Sequence, residues 1–543
     1  MISNRTIYLR AYTMDWNTPE SDSLHLEYSY TKDGCRYALN GGNGVFFPAV
    51  GSSQLSNPRI RKNSDGTYTV TGEDRKDATL FMQFETKDFI TYYDEKLIKA
   101  PSISMVDQTL GADEPVEIPY SLLLPLLKKW GSPEPVSILD EMKLTVEKGA
   151  FLPDILNLPL TNGADAPYRI DWGTLAHTPI EEAPQTAVTA HAVWHRYQNP
   201  LIMHRADPFI YKHTDGFYYF TSSHTDMEHN LNGTYQYRKI LLRRSATLDG
   251  LADNSGCFEE VCVLSHEPLS NGASPHIWAP EIHFIQGRWY IYYTVTISGT
   301  SPWTIRPHVM ECSDSNPLTG KWNYIGPVQK TDKSSVAFTD FSLDHTVFEN
   351  NGRLYMVWAQ NYPKYSSLLI SEMSNPWTIG GPVSVIAAPE YNWETHGFKV
   401  CEGPSILKRN GKIFIVYSAS GTDSLYCMGM LTAEDTADLL NPDSWKKTPY
   451  PVFQSSRQNG QFGPGHNSFT TDEDGNDILV YHARQEEHYL AEKSYQPLYD
   501  AGRNTTIARF FWRPDGTPDF SVPLPCGPAA DCFKEIRIHI DLK

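Results

Sequence analysis

Beyond residue 200 the chain repeats one pattern of apolar and polar positions. His204 to Ser223 reads "HRADPFIYKHTDGFYYFTSS": an apolar run (Pro208 to Tyr211), an Asp215-Gly216 turn, then a second run (Phe217 to Thr221). An X-Gly pair between two strand-like runs is a hairpin signal. The unit recurs as "APEIHFIQGRWYIYYTV", "LDHTVFENNGRLYMVWAQ", "EGPSILKRNGKIFIVYSAS" and "GHNSFTTDEDGNDILVYHAR". Their turn glycines are Gly216, Gly287, Gly352, Gly411 and Gly475, spaced 71, 65, 59 and 64 residues apart. A third apolar segment follows each hairpin in the first four units ("KILLRRSATL", "HVMECSD", "LLISEMS", "CMGMLTA"), which then end in a fourth, as in "WNYIGPVQ" and "PVSVIAAP". Four strands per unit, five times over, predict an all-β chain with a five-bladed β-propeller. The propeller is expected over residues 191–543, with "SVPLPCGPAADCFKEIRIHIDL" as its closing tail.

Two regions precede it. "SNPRIRKNSDGTYTVTGED" (Ser56 to Asp74) copies the opening unit in form, with Asn57-Pro58 placed before Gly66 as Asp207-Pro208 is before Gly216. Residues 1–127 are therefore expected to form a β module with blade-like units and no catalytic acid, since Asn57 stands where the Asp would be. Residues 128–190 look like a small immunoglobulin-like β domain, or a linker region, flanked by the Pro-rich stretches "GSPEPV" and "HTPIEEAPQT".

Composition narrows the partners. A net charge of -18 and the lack of a basic stripe argue against nucleic acid. No run approaches the ~18 apolar residues of a membrane span. "MISNRTIYLRAYTMDW" has no basic region followed by an apolar core, so no signal peptide is expected and the location is expected to be cytoplasmic. The eight cysteines have no metal-like spacing and read as reduced packing thiols. The aromatic content of 12% suits either strands or a surface that stacks on sugar rings.

The first strand of each propeller blade lines the central channel, so the unit starts converge. They read "RADP", "WAPE", "SLDH", "CEGP" and "GPGHN", and three offer an acid: Asp207, Asp344 and Glu402. Gathered carboxyls repel, which keeps one protonated while another ionises. Glycoside hydrolysis needs that pairing, and acids on separate blades suit the wider gap of an inverting reaction. Glu281, three residues after Trp278, is a fourth acid but reads as a hydrogen-bonding group.

"RADPFIYKHTDGFYYFTSS", "IWAPEIHFIQGRWYIYYT", "FSLDHTVFENNGRLYMVWAQ", "CEGPSILKRNGKIFIVYSASG", "FGPGHNSF" and "VYHAR" together resemble glycoside hydrolase family 43, five-bladed enzymes acting on arabinose- and xylose-containing polymers. The resemblance implies that Asp207 is the general base, Glu402 the general acid, and Asp344 the group that holds the acid's pKa up and orients it. The family often has Asp-Pro at the third motif; here His345 follows Asp344. Trp278, Arg484, His345 and Arg205 are the candidate substrate-binding residues, with Arg205 also the natural partner of Asp207. His466 matches the family's central histidine, which in many members meets a metal, often calcium, through water on the propeller axis. No cofactor is expected to be required. The implied activity is an inverting exo-α-L-arabinofuranosidase trimming arabinan or arabinoxylan fragments. A β-xylosidase, another exo-acting pentosidase or galactofuranosidase, or a non-catalytic carbohydrate-binding propeller are the alternatives.

Overall fold

The computed structural model of the chain describes all residues except 1–5, 14–22, 35, 43, 100–113, 132, 134–141, 232–233, 270–273, 299–300 and 458. Strands dominate, with one α-helix (Tyr120–Trp130) among the described residues. No helix among them is long and apolar enough to cross a membrane. The chain forms two compact units: Met1–Arg196 with Phe511–Ser521 and Ala530–Lys543, and Tyr197–Phe510 with Val522–Ala529.

The second unit is the five-bladed propeller. Blades 1, 2 and 4 are four-stranded antiparallel meanders with first strands Arg205–Lys212, Trp278–Ile285 and Cys401–Arg409, and blade 3 is a six-stranded sheet whose first strand is Ser342–Asn350. Blade 5 has three strands (Phe462–Thr471, Asp477–Arg484, Asn504–Arg509), and Ile202 bridges to Thr505 on its outer strand. Each first strand contacts the first strands of both neighbouring blades, so the five close into a ring. Side chains seal the joints: Thr221 Oγ1 of blade 1 donates to the Pro280 carbonyl of blade 2, and Ser468 Oγ of blade 5 to the Pro208 carbonyl of blade 1.

The sequence explains the layering. Second strands such as "RWYIYYTVT" and "KIFIVYSA" are nearly continuous apolar runs because they are buried on both faces. The fourth strand of blade 2, "WNYIGP", is largely exposed and mixes polar residues in. In the hairpins at Asn351-Gly352 and Asn410-Gly411, both turn residues have positive φ, as a tight type I′ turn requires. A Cβ on either glycine would meet nothing within 4 Å, so backbone conformation rather than space selects glycine there.

In the first unit, the sheet Leu55–Lys62, Tyr68–Asp74, Asp77–Thr86 and Tyr92–Lys99 is a four-stranded meander like a blade. It shares one core with the sheet containing Thr6–Tyr12 and His25–Ser29, and with the helix, through Leu9, Leu55, Val70, Phe84 and Leu126. The region expected to be immunoglobulin-like is built differently. Ile155–Pro159, Asp165–Asp171 and Val188–Arg196 form a sheet with the C-terminal strand Ala530–Leu542, which pairs in parallel with Met142–Val146. The tail expected to close the propeller thus completes a sheet of the other unit. Its alternating "IRIHI" buries Ile536, Ile538 and Ile540 there.

Candidate active site

Each first strand of the propeller begins with a β-bulge. The register shifts fall at Ala206/Phe209, Trp278/Glu281, Leu343/Thr346, Glu402/Ser405 and Gly465/Ser468. At each bulge one residue has positive φ: Asp207 (54°), Ala279 (45°), Asp344 (53°), Gly403 (54°) and His466 (44°). A bulge inserts a residue and re-aims its side chain. Asp207 and Asp344 hold the bulge position, whereas Glu402 and Trp278 each stand one residue ahead of it. The three acids are therefore not equivalent by register, as the unit starts suggested. The same bulge recurs in the first unit at Ser56/Arg59, with Asn57 at φ 46°.

Asp207 is 8% exposed. Its Oδ2 accepts from Ser223 Oγ at 2.5 Å, and Ser223 in turn accepts the Ala279 amide of the next blade at 2.8 Å. Its Oδ1 lies 3.3 Å from His482 Nδ1, 3.4 Å from His466 Nδ1 and 3.5 Å from Arg503 Nη1. Burial by itself pushes this carboxyl up. His466, Arg503 and the His482 contact more than offset that, leaving Asp207 well below the usual carboxylate range. Burial also lowers both imidazoles, His482 to about 3, so the permanent cation against Asp207 is Arg503.

Asp344 and Glu402 behave oppositely. Burial pushes Asp344 well up, reinforced by the charges of Glu402 and Asp207. Burial pushes Glu402 up to about 7, opposed by a hydrogen bond from Tyr426 and reinforced by Asp207. The two form a coupled pair that keeps a proton near neutral pH while Asp207 is ionised. Asp344 was expected to hold up the pKa of Glu402; burial and the charges of Glu402 and Asp207 push Asp344 itself up as well. Asp344 Oδ2 accepts the Gly403 amide at 3.1 Å and lies 3.8 Å from His466 Nδ1. Tyr426 Oη donates to Glu402 Oε1 at 2.8 Å and its ring stacks on His482, 5.7 Å between centroids.

Glycines make these approaches possible. A Cβ on Gly403 would stand 3.1 Å from His466 Nδ1, and one on Gly465 would collide with the Tyr426 ring.

The other expected residues lie as follows. Trp278 is buried between Tyr237 and His276; Tyr237 accepts a hydrogen bond from Arg503, which links this wall to Asp207. His345 is buried against the edge of Tyr292 and held neutral by burial, at about 3. Arg205 pairs with Glu260 rather than with Asp207: the bulge turns Asp207 away from its chain neighbour and towards Arg503. Arg484 does not reach Glu402. Its guanidinium is spent on Asp500 (2.5 Å) and the carbonyls of Thr422 and Asp423. Glu281 pairs with His283 at 2.8 Å. His466 faces Asp207 and Asp344. Among the described residues no three His, Cys, Asp or Glu side chains are grouped to hold a metal ion. None of the seven described cysteines is in a disulfide.

Sequence reading missed Ser223, Tyr426, His482 and Arg503. Only His482 left a signal, two residues before Arg484 in "YHAR".

Blade 5 also supplies a strap across the mouth, residues 485–503. It is tied to blade 4 by the His488 amide on Ser424 Oγ (2.8 Å) and the Leu490 amide on Asp423 Oδ2 (2.9 Å). At its other end Tyr499 Oη meets His276 Nε2 at 2.9 Å, and the Leu498 carbonyl accepts from Arg503 and Tyr237.

The three acids come from three separate blades of a five-bladed propeller, with Asp207 held low and Glu402 pushed up to about 7, an arrangement suited to glycoside hydrolysis. Residues 197–518 match Glycosyl hydrolases family 43, and the chain belongs to that family. It is 44% identical over 364 residues (66% of this chain, 68% of the relative) to an extracellular exo-α-(1→5)-L-arabinofuranosidase of Streptomyces avermitilis. It is 46% identical over 293 residues (53% and 83%) to a protein of the same name from Streptomyces chartreusis. An α-L-arabinofuranosidase structure from Lactobacillus brevis, 43% identical, superposes with a TM-score of 0.54 over 61% of this chain and 98% of that one. The two Streptomyces relatives are named extracellular, which overturns the cytoplasmic location expected from the N-terminal residues.

Proposed function

We propose that this protein is an inverting exo-α-L-arabinofuranosidase that releases terminal arabinofuranose from arabinan- or arabinoxylan-type oligosaccharides. The observation that carries the reading is the opposed charge states of Asp207 and the Asp344–Glu402 pair, three carboxyls on three blades. Relatives at 44% and 46% identity named for exo-α-(1→5)-L-arabinofuranosidase activity support the sugar and the exo action. The strap at the mouth supports an exo site too, because a chain cannot run freely past blade 5.

Asp207, held ionised by Arg503, takes a proton from water as the water oxygen attacks C1 of the terminal arabinofuranose. Glu402, protonated near neutral pH, gives its proton to the departing glycosidic oxygen as the C1–O bond breaks. The products are arabinose of inverted configuration and a shortened oligosaccharide, with Asp207 protonated and Glu402 ionised until solvent resets them. Asp344 fixes the backbone beside Glu402 through the Gly403 amide. His466 spans Asp207 and Asp344 and orients both. No step is routed through a metal.

Release of 4-nitrophenol from the α-L-arabinofuranoside, the β-D-xyloside and the β-D-galactofuranoside tests the sugar. The arabinofuranoside is expected to be hydrolysed at least tenfold faster than the others. Turnover of none of them, with arabinan oligosaccharides intact as well, contradicts the proposal.

A further inference from the structure

Trp303 lies in a 3-10 turn (Pro302–Thr304) ahead of the third strand of blade 2, and it is 45% exposed. Its ring packs at 5.3 Å, 46° off parallel, against Phe341, which directly precedes the first strand of blade 3. Together the two rings make a contiguous apolar patch rather than a single exposed side chain. This pair is also held rigidly. The Trp303 amide donates to Ser301 Oγ (3.2 Å), the Phe341 amide to Asp340 Oδ1 (2.7 Å), and the Asn361 amide to the Phe341 carbonyl (3.2 Å). Beside the rings, Asn361 Nδ2 donates to Asp340 Oδ2 at 2.8 Å, and the Asp340 charge acts on Arg306. Fixed aromatic faces flanked by a carboxylate, an amide and a guanidinium make a surface that recognises sugar rings by stacking and their hydroxyls by hydrogen bonds.

Its place in the ring identifies which sugars. Phe341 is three residues before Asp344, about 10 Å along an extended strand at ~3.3 Å per residue, and Trp303 lies one ring further out. That is a distance of two to three furanose residues from the acids. In a closed ring of five blades, the joint between blades 2 and 3 lies opposite blade 5, whose strap is tied to the blade 4 loop and to His276 ahead of blade 2. A chain whose terminal sugar sits at the acids is thus directed outward over Trp303.

We infer that Trp303 and Phe341 form a distal subsite for the leaving-group side of the substrate, stacking on the second or third pentose beyond the scissile bond. This rests on the arabinofuranosidase reading above. Linear α-1,5-arabinotetraose reaches the platform; 4-nitrophenyl α-L-arabinofuranoside, with one short aglycone, does not. Trp303→Ala is expected to lower kcat/KM for the tetraose at least tenfold more than for the nitrophenyl glycoside, mostly through KM. Trp303→Tyr should restore most of that loss. An equal fall on both substrates, or no fall on the tetraose, overturns the platform.

Tetraose affinity measured by calorimetry in a Glu402→Gln background reads the same surface without turnover. Trp303→Ala should weaken it tenfold or more, and an unchanged Kd overturns the inference. If the unsubstituted protein hydrolyses neither substrate while the tetraose still binds through Trp303, the assigned activity fails and the platform stands.

Discussion

Tyr426→Phe removes one oxygen and keeps the ring that stacks on His482. Tyr426 Oη donates 2.8 Å to Glu402 Oε1, an interaction that favours the ionised carboxylate. A hydrogen bond to a charged group contributes about 1.5–3 kcal/mol. At about 1.36 kcal/mol per pH unit, its loss raises the titration of Glu402 by roughly 1–2 units. Glu402 must be protonated to act, so it governs the alkaline limb of kcat/KM, which now falls near its value of about 7. The substitution therefore moves the alkaline limb to higher pH and leaves the acid limb, set by Asp207, nearly in place. The assay needs a poor leaving group, because nitrophenolate departs with little help from an acid. Initial rates of arabinose release from arabinotriose between pH 4 and 10 meet that need. An alkaline limb that stays put, or moves to lower pH, refutes the assignment of Glu402 as the acid restrained by Tyr426.

Other substitutions separate the remaining roles. Asp207→Ala and Glu402→Ala should each lower kcat on arabinotriose by about 10³-fold or more, and only Glu402→Ala should recover partly on the nitrophenyl glycoside, as rates on the two substrates will show. Arg503→Met takes away the permanent cation 3.5 Å from Asp207; the carboxyl rises, so the acid limb of kcat/KM moves to higher pH, and a limb that moves the other way or not at all counts against the pairing. Gly403→Ala places a Cβ 3.1 Å from His466 Nδ1 at a φ of 54°; activity should fall at least tenfold with the thermal midpoint lowered, measured by calorimetry. Arg484→Met, which cuts the tie to Asp500 and the blade 4 loop, should destabilise the fold by about 1–3 kcal/mol in denaturant titrations, because Asp500 and the loop carbonyls lose a charged donor while Asp500 keeps Tyr495 and the Gly502 amide.

The repeat made Asp207, Asp344 and Glu402 legible, since a motif at each unit start must converge once the strands close into a ring. The bulge was less so. It gives Asp207 a positive φ and turns it from Arg205, its neighbour in sequence, to Arg503, which ends the strap just ahead of the outer strand of blade 5. His482 meets the Asp207 amide across 275 residues, and nothing local in either segment marks the pairing. Tyr426 belongs to a loop, where patterning carries no register. The C-terminal "EIRIHIDL" reads as a strand by alternation alone; which sheet takes it depends on a free edge that the sequence does not display. Asn57 shows the converse. It has the bulge, the turn and the meander of a blade without the acid, so the motif encodes architecture and the carboxyl at that position is what adds chemistry.

Inversion requires that water, activated by Asp207, attack the face opposite the oxygen protonated by Glu402. Proton NMR of the first minutes of hydrolysis of an α-L-arabinofuranoside reads this directly. β-L-Arabinofuranose is expected to appear first and to mutarotate afterwards. Initial formation of the α-anomer would contradict it.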